Sequence, residues 1–298
     1  MTPAFFDLSG RVRLRVKGAD CLRYLNGQIT NDLRKATATT VLQASILNPK
    51  GKLSGHVFVT AEKDGGAFLL DADEEQRETL PARLERYIIA DDVEVEDVGG
   101  RFSVFHLIGA EIPAGLATAK SAMANRFGHL GQDIWIEPDA TDQARQQLSA
   151  IATFCDSSRT EQFRIEMGVP RWGAELTDEI IPVEANLEEA AIDYAKGCYI
   201  GQEVISRMKM SGQTNKRLRG LISSAGESLA AGMRLWSHDE VAKEAGWISS
   251  ATQSDRLGKQ IALGYVKRGF NDDGSRLLAR LDPDSSAVPV AVVTLPFV

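Results

Sequence analysis

The sequence predicts an α+β fold that ends in a small all-β barrel. Two observations carry the α+β part: short runs with the two-residue period of half-buried strands, and between them runs whose apolar residues recur at helical spacing. A third carries the barrel. From Lys216 onward short apolar runs are separated by Gly, Asp, Ser and Pro, with hardly any helical periodicity. The 298 residues are 43% hydrophobic and 25% charged, enough for two or three packed units without disulfide support.

Taken in order, residues 11–16 (Arg-Val-Arg-Leu-Arg-Val) alternate basic and apolar and read as a strand with one cationic face. After the turn Gly18-Ala19-Asp20, the spacing of Leu22, Leu25 and Ile29 predicts a helix. The cluster Asn48-Pro49-Lys50-Gly51 turns the chain again. Residues 53–60 and 67–70 then form a hairpin around Glu62-Lys63-Asp64-Gly65-Gly66. Asp71 and Asp73 are expected to cap a helix striped by Leu80, Leu84, Tyr87 and Ile88. Strands follow at Val93 and Val95, at residues 101–108, and twice around residues 129–136. A helix over residues 142–151 carries Ala144, Leu148 and Ile151 on one side. This order places helices on one side of a mostly antiparallel sheet.

Formal charge is -7, so the molecule as a whole is repelled by nucleic acid and anionic membrane. Residues 71–97 hold eleven acids against three Arg, whereas residues 1–35 carry seven Lys or Arg against three Asp, and residues 196–219 six against one Glu. Two basic segments are therefore either solvated faces or the flanks of one site for an anionic ligand. No run of 18 apolar residues and no basic-then-apolar leader is present, which makes a cytoplasmic location, away from membrane, the expectation. Cys21, Cys155 and Cys198 are odd in number and scattered, which argues against a disulfide framework or a four-thiolate metal site. The four histidines show no i,i+4 pair, so no metal site is expected. Phosphate-cradling G-x-x-x-x-G-K-[ST] and G-x-G-x-x-G loops are absent, which argues against nucleotide chemistry.

The densest cluster of unusual residues is Lys196-Gly197-Cys198-Tyr199-Ile200-Gly201-Gln202-Glu203. Val204, Ile205 and Met208 suit the buried face of a short helix beginning near Gly201. That places Cys198 close to a helix N-terminus with Lys196 beside it, and both favour a thiolate. Upstream, Arg164-Ile165-Glu166-Met167-Gly168 offers a carboxylate. Held in a pocket, such a group accepts two parallel hydrogen bonds from a planar amidine-like edge such as that of a pterin.

The run Lys196 to Glu203 resembles the K-G-C-Y-x-G-Q-E signature of the YgfZ-type folate-binding proteins, relatives of the glycine-cleavage T-protein (aminomethyltransferase). The resemblance extends over Gly27-Gln28-Ile29-Thr30-Asn31-Asp32, Pro49-Lys50-Gly51-Lys52, Leu84-Glu85-Arg86-Tyr87 and Pro182-Val183-Glu184-Ala185-Asn186-Leu187, and ends with Leu263-Gly264-Tyr265-Val266. It implies a three-lobed ring: two interleaved α+β lobes with ferredoxin-like elements over residues 1–213, then a β-barrel over 214–298. Tetrahydrofolate, or a one-carbon derivative of it, would sit in the central opening. It further implies that Glu166, with Arg164, Asn31, Tyr199, Gln202 and Glu203, binds the folate and that Cys198 and Lys196 carry the chemistry.

The function implied is a folate-binding accessory role in assembly or repair of iron–sulfur enzymes, with indirect effects on tRNA modification. Iron–sulfur client enzymes or assembly proteins are then the partners. The alternative is a tetrahydrofolate-dependent aminomethyl transferase or demethylase. Where the T-protein has two acids in a segment resembling G-G-I-L-D-D-L-I-V, this sequence has Ser54 and Gly55, followed by His56. Neither supplies an acid or base, and Gln202 replaces a basic residue, so glycine cleavage is not expected. A third class, an RNA-binding module built on Arg207, Lys209, Lys216, Arg217 and Arg219, lacks the interleaved aromatics that stack on bases, so direct nucleic-acid binding is not expected.

Overall fold

A computed structural model describes residues 2–63, 65–239, 242–282 and 285–298. The chain forms two compact units, Met1–Thr160 with Glu189–Val204, and Glu161–Glu188 with Ile205–Val298.

In the first unit the chain weaves between two sheets. Strand β1 (Ala4–Asp7) belongs to one sheet. The chain then crosses to the other for β2 (Val12–Lys17), α1 (Cys21–Gln28), β3 (Leu42–Leu47), β4 (Leu53–Ala61), β5 (Ala67–Ala72), α2 (Thr79–Glu85) and β6 (Glu94–Asp97). It returns with β7 (Ser103–Ile108), β8 (Lys120–Asn125), β9 (Leu130–Ile136), α3 (Thr141–Ser149) and β10 (Thr153–Cys155). The first sheet has the order β10-β1-β7-β9-β8 and the second β3-β4-β5-β2-β6. All pairings are antiparallel except β1 with β10. Each sheet buries one face under its own helices, as the strand alternation requires. Val12, Leu14, Val57 and Leu70 pack with Leu25, Leu80 and Leu84, while Phe5, Phe105, Ile134 and Ile136 pack with Ala144 and Leu148.

Several expectations shift when the elements are seen. Of the predicted stripe, Leu25 and Ile29 are buried and Leu22 is exposed, and Cys21, Tyr24 and Gln28 complete the buried face of α1. Neither Asp71 nor Asp73 caps α2: Asp73 stands at the N-cap of a 3-10 turn over Glu74–Gln76 without a side-chain cap bond. Asp71 lies in β5, both carboxylates take the Arg11 guanidinium, and α2 starts at Thr79. Of the two strands expected around residues 129–136, one is β9 and its partner β8 lies earlier. The predicted hairpin of β4 and β5 forms with Ala61 opposite Phe68, and its turn residue Asp64 lies outside the described residues.

The cationic face of residues 11–17 does not await an anionic ligand. Strand β2 lies between β5 and β6, which bring the acidic stretch against it. Arg15 makes a bidentate pair with Glu62 at 2.7 and 2.8 Å, and Lys17 lies 3.2 Å from Glu94. The local charge imbalance of the sequence is thus cancelled across the sheet.

Helix α4 (Ser157–Glu166) leads into the second unit, and α6 (Gln202–Ser211) enters it again. The unit's barrel comprises β11 (Lys216–Ser223), β12 (Arg234–Trp236), β13 (Glu244–Ser254), β14 (Lys259–Lys267), β15 (Arg276–Arg280) and β16 (Val288–Val293). These close in the order β11-β14-β13-β12-β15-β16, around a core of Leu221, Leu235, Ile248, Val266, Leu277 and Val292. Asn186, at φ 60°, donates to the Leu218 carbonyl at 3.0 Å and accepts from Arg217, and Glu188 takes the same guanidinium. The second basic segment is therefore neutralised at Arg217, as is Lys216, 3.5 Å from Glu184.

Candidate functional site

In the first unit the loop of residues 196–201 is tied to the end of α1. The last carbonyls of a helix lack intrahelical partners and carry the negative end of its dipole. Lys196 Nζ sits there and donates to the carbonyls of Asn26, Ile29 and Asn31 at 2.6, 2.7 and 2.8 Å. All three ammonium donors are taken. Burial lowers this ammonium to about 8, against Asp32 and Asp193, which raise it. Its donors hold main-chain carbonyls, so the geometry shows Lys196 positioning the loop that carries Cys198. Asn31 is engaged in the same way: its amide donates to the carbonyls of Gln43 and Ala190 and its side-chain oxygen accepts from Asp32 N–H. Thr30 adds a third tie, donating to the Ala191 carbonyl at 2.5 Å.

The rest of the signature follows from that anchoring. Tyr199 is buried with its ring 5.2 Å from Lys196 Nζ, and burial pushes its phenol up to about 12, so the hydroxyl stays protonated at neutral pH. Gly201 has φ +83°, and a Cβ there would lie 2.7 Å from the Asn48 carbonyl. Gly51, at φ +74°, faces Val204 as closely, so the two glycines let this loop and the β3–β4 turn touch backbone to backbone. Gln202 opens α6, half-buried, and Glu203 beside it is exposed and partnered. Of the expected buried face of α6, only Ile205 is buried. Cys198 is exposed and free. Cys21 and Cys155 are more enclosed, and burial raises both thiols.

The strand positions that replace the two acids can also be placed. Gly55 faces α2, where a Cβ would meet Gln76 and Leu80 at 3.2 Å, so a carboxylate there would displace core atoms. His56 points the other way and is buried. One ring nitrogen lies 2.9 Å from Gln43 Nε2 and the other 3.4 Å from Ser45 Oγ. Burial lowers its imidazole to about 4, so it is neutral at physiological pH.

In the second unit α4 ends on Glu166, which is 6% exposed. Its Oε1 accepts from Ser254 Oγ at 2.6 Å and Gln162 Nε2 at 3.2 Å, while no described residue donates to Oε2. One oxygen is thus fixed in direction and the other keeps its acceptor capacity. Arg164, expected beside Glu166 at the ligand, has its donors on the protein. Nε and Nη2 clasp Glu161 at 2.8 and 2.6 Å, Nη1 reaches Glu175 at 2.9 Å and the Val169 carbonyl, and Nη2 also reaches Ser250 at 2.9 Å. All five guanidinium donors are engaged. Glu175, which the sequence reading did not single out, is the hub of this cluster. Fully buried, it accepts from Ser249 Oγ at 2.7 Å and Ser250 Oγ at 2.6 Å, and its carbonyl accepts from Tyr265 OH at 2.9 Å. The turn-rich run Pro170-Arg171-Trp172-Gly173-Ala174-Glu175, following so soon after Glu166, is the signal that marks it. Ser254 lies 88 residues from Glu166 and carries no such signal.

Among the described residues no group of three or more His, Cys, Asp or Glu is placed to hold a metal ion. Among the described residues no helix is long and apolar enough to cross a membrane.

A mixed α+β protein closed by a six-stranded barrel, with an anchored carboxylate where α4 ends, defines a structural class that comparison with known proteins makes specific. Residues 216–298 match the glycine cleavage T-protein C-terminal barrel domain. An aminomethyltransferase of Aquifex aeolicus (strain VF5) is 35% identical over 156 residues, 51% of this chain. The match spans 42% of that relative's length. The crystal structure of glycine cleavage system aminomethyltransferase T from Bartonella henselae superimposes with a TM-score of 0.85 at 17% identity, over 100% of this chain and 86% of that one. The fold is that of aminomethyltransferase T.

Proposed function

We propose that this protein binds a reduced folate and works in folate-dependent one-carbon chemistry, the chemistry for which its aminomethyltransferase relatives are named. The observation that carries the proposal is Glu166. Its Oε1 is pinned by Ser254 and Gln162, and its Oε2 is left to accept. A buried carboxylate of this kind suits the paired N–H donors of a pterin edge, and tetrahydrofolate, or a one-carbon derivative, fits that donor set. Bound tetrahydrofolate supplies the ring nitrogens that take up a one-carbon unit. The chain's own part is to orient the pterin through Glu166, with Arg164 and Glu175 holding the end of α4 in place.

The positions at Ser54 and Gly55 weigh against glycine as the donor. Gly55 faces the helix side of its sheet, and the neighbouring His56 is neutral and held on both ring nitrogens. A methylated amine, whose carbon is released without a carboxylate base at those positions, is the donor we favour. Formation of 5-methyl-tetrahydrofolate from methylated amines tests this: the methyl–nitrogen bond of the donor breaks as the methyl bonds to the folate N5, and the N5 proton leaves with the amine, so no oxidant is needed. Turnover with such amines, and none with the aminomethyl-loaded lipoyl carrier, is the expected result.

One observation favours a second reading, the accessory role toward iron–sulfur enzymes in the cytoplasm. Cys198 is an exposed free thiol inside a loop whose backbone Lys196 fixes. In this reading Cys198 alkylates before Cys21 and Cys155, and Cys198→Ser keeps folate affinity but fails to restore a client iron–sulfur enzyme in cells lacking the protein. Full restoration removes the thiol from that role.

A further inference from the structure

The first unit contains a cavity of about 470 Å³, within the usual size range of small-molecule pockets. Both sheets of the unit line it. Arg13 of β2 and Leu69 of β5 come from one, Lys120 of β8 and Trp135 of β9 from the other, with Arg101 and Phe102 from the connection before β7. None of the residues assigned to folate belongs to it.

Its charge is unbalanced. Lys120 stands opposite Trp135 in the β8–β9 register, with Nζ 4.9 Å from the indole centroid. Among the described residues its one hydrogen bond is a long 3.3 Å contact with the Ala61 carbonyl, and no carboxylate lies within ion-pair distance. Burial lowers this ammonium to about 8, against Glu62 and Asp133, which raise it from beyond ion-pair distance. Arg101 lies over the Phe102 ring at 5.6 Å, also without an ion pair among the described residues. Arg13, with a side chain 5% exposed, keeps a buried Nε without a hydrogen-bond partner, 3.6 Å from Asp71. The one acid on the wall, Glu62, is chelated by Arg15 through both oxygens. A half-buried cation beside an aromatic face, with no carboxylate within ion-pair distance, as at Lys120, is the complement of an anion on a flat apolar body.

We propose that this cavity is a second ligand site, for a small carboxylate carrying a planar apolar or aromatic body, with Lys120 as its counter-ion and Trp135 and Phe102 as its walls. An arriving carboxylate gives Lys120 a direct ion pair, and the body covers the indole and the phenyl ring. The site is independent of the folate reading.

Calorimetric titration of the full chain with 2-naphthoate and with neutral 2-naphthamide tests it. The carboxylate is expected to bind about tenfold more tightly than the amide. Lys120→Gln should abolish that preference, Lys120→Arg should keep it, and Trp135→Leu should weaken both ligands. Lys120 sits on an edge strand, and the urea midpoint of each variant shows whether its fold is retained. Equal affinity for the two ligands, no saturable binding of either, or an unchanged preference in folded Lys120→Gln overturns the proposal. Saturating tetrahydrofolate should leave naphthoate affinity unchanged, and competition between them overturns a separate site. Naphthoate binding should also survive Glu166→Ala, so the two readings fail separately.

Discussion

Lys196 and Glu166 are both buried charges in conspicuous motifs, and their surroundings differ in kind. Lys196 has three donors and three backbone carbonyls to receive them, so nothing is left for a ligand. Glu166 has one oxygen fixed by two donors and the other open. Arg164, two residues before Glu166, belongs with Lys196: its five donors all end on the protein. A conspicuous residue, then, either holds the backbone or offers an atom, and counting its donors and acceptors tells which. The comparison predicts that holding residues act on stability and offering residues on binding.

The largest effect is expected at the Arg164–Glu175 pair. Arg164→Met leaves Glu175 charged and enclosed, which costs about 3–5 kcal/mol on breaking a buried pair from one side. A urea unfolding series measures it, and a loss under 1 kcal/mol, the scale of an exposed pair, would move Arg164 out of the holding class.

His56 should make stability fall in acid. Its folded pKa of about 4 lies below the unfolded value of about 6.5, so between those values the unfolded chain binds more protons and stability rises with pH. The contribution is complete above pH 6.5 and lost as pH falls toward 4, by about 3 kcal/mol. His106, also lowered by burial, acts in the same direction, so the difference between wild type and His56→Gln isolates His56. Curves that stay parallel from pH 7 to 4 would show that His56 is not held neutral.

Lys196→Met should cost about 2–3 kcal/mol, since it strands carbonyls at the end of α1 in a buried setting. Tetrahydrofolate affinity of the folded fraction should change little. A variant of normal stability with lost affinity would place Lys196 on the ligand instead.

Much of this was legible in the residues. The two-residue alternation located β2, the Gly- and Pro-rich runs after Lys216 announced the barrel, and the motif residues pointed to the loop of 196–203 and to Glu166. What escaped depends on pairing across the chain. The cationic face of β2 is quenched by Glu62, Glu94 and Glu96, which are neighbours only once the sheet forms. Lys196 sits two residues from Cys198 in sequence, yet its donors go to carbonyls more than 160 residues away. Ser254 reaches Glu166 only through the barrel. Proximity in sequence located these motifs; the destination of each hydrogen bond determined their roles.

The most direct test sets Glu166→Ala beside wild type in a tetrahydrofolate titration, with the urea midpoint measured on the same samples. The account predicts a loss of about 1.5–3 kcal/mol in binding, ten- to hundredfold in Kd, with little change in midpoint. Unchanged affinity, or a loss of affinity explained by a matching loss of folded protein, would contradict the assignment of Glu166 as the carboxylate that holds the pterin.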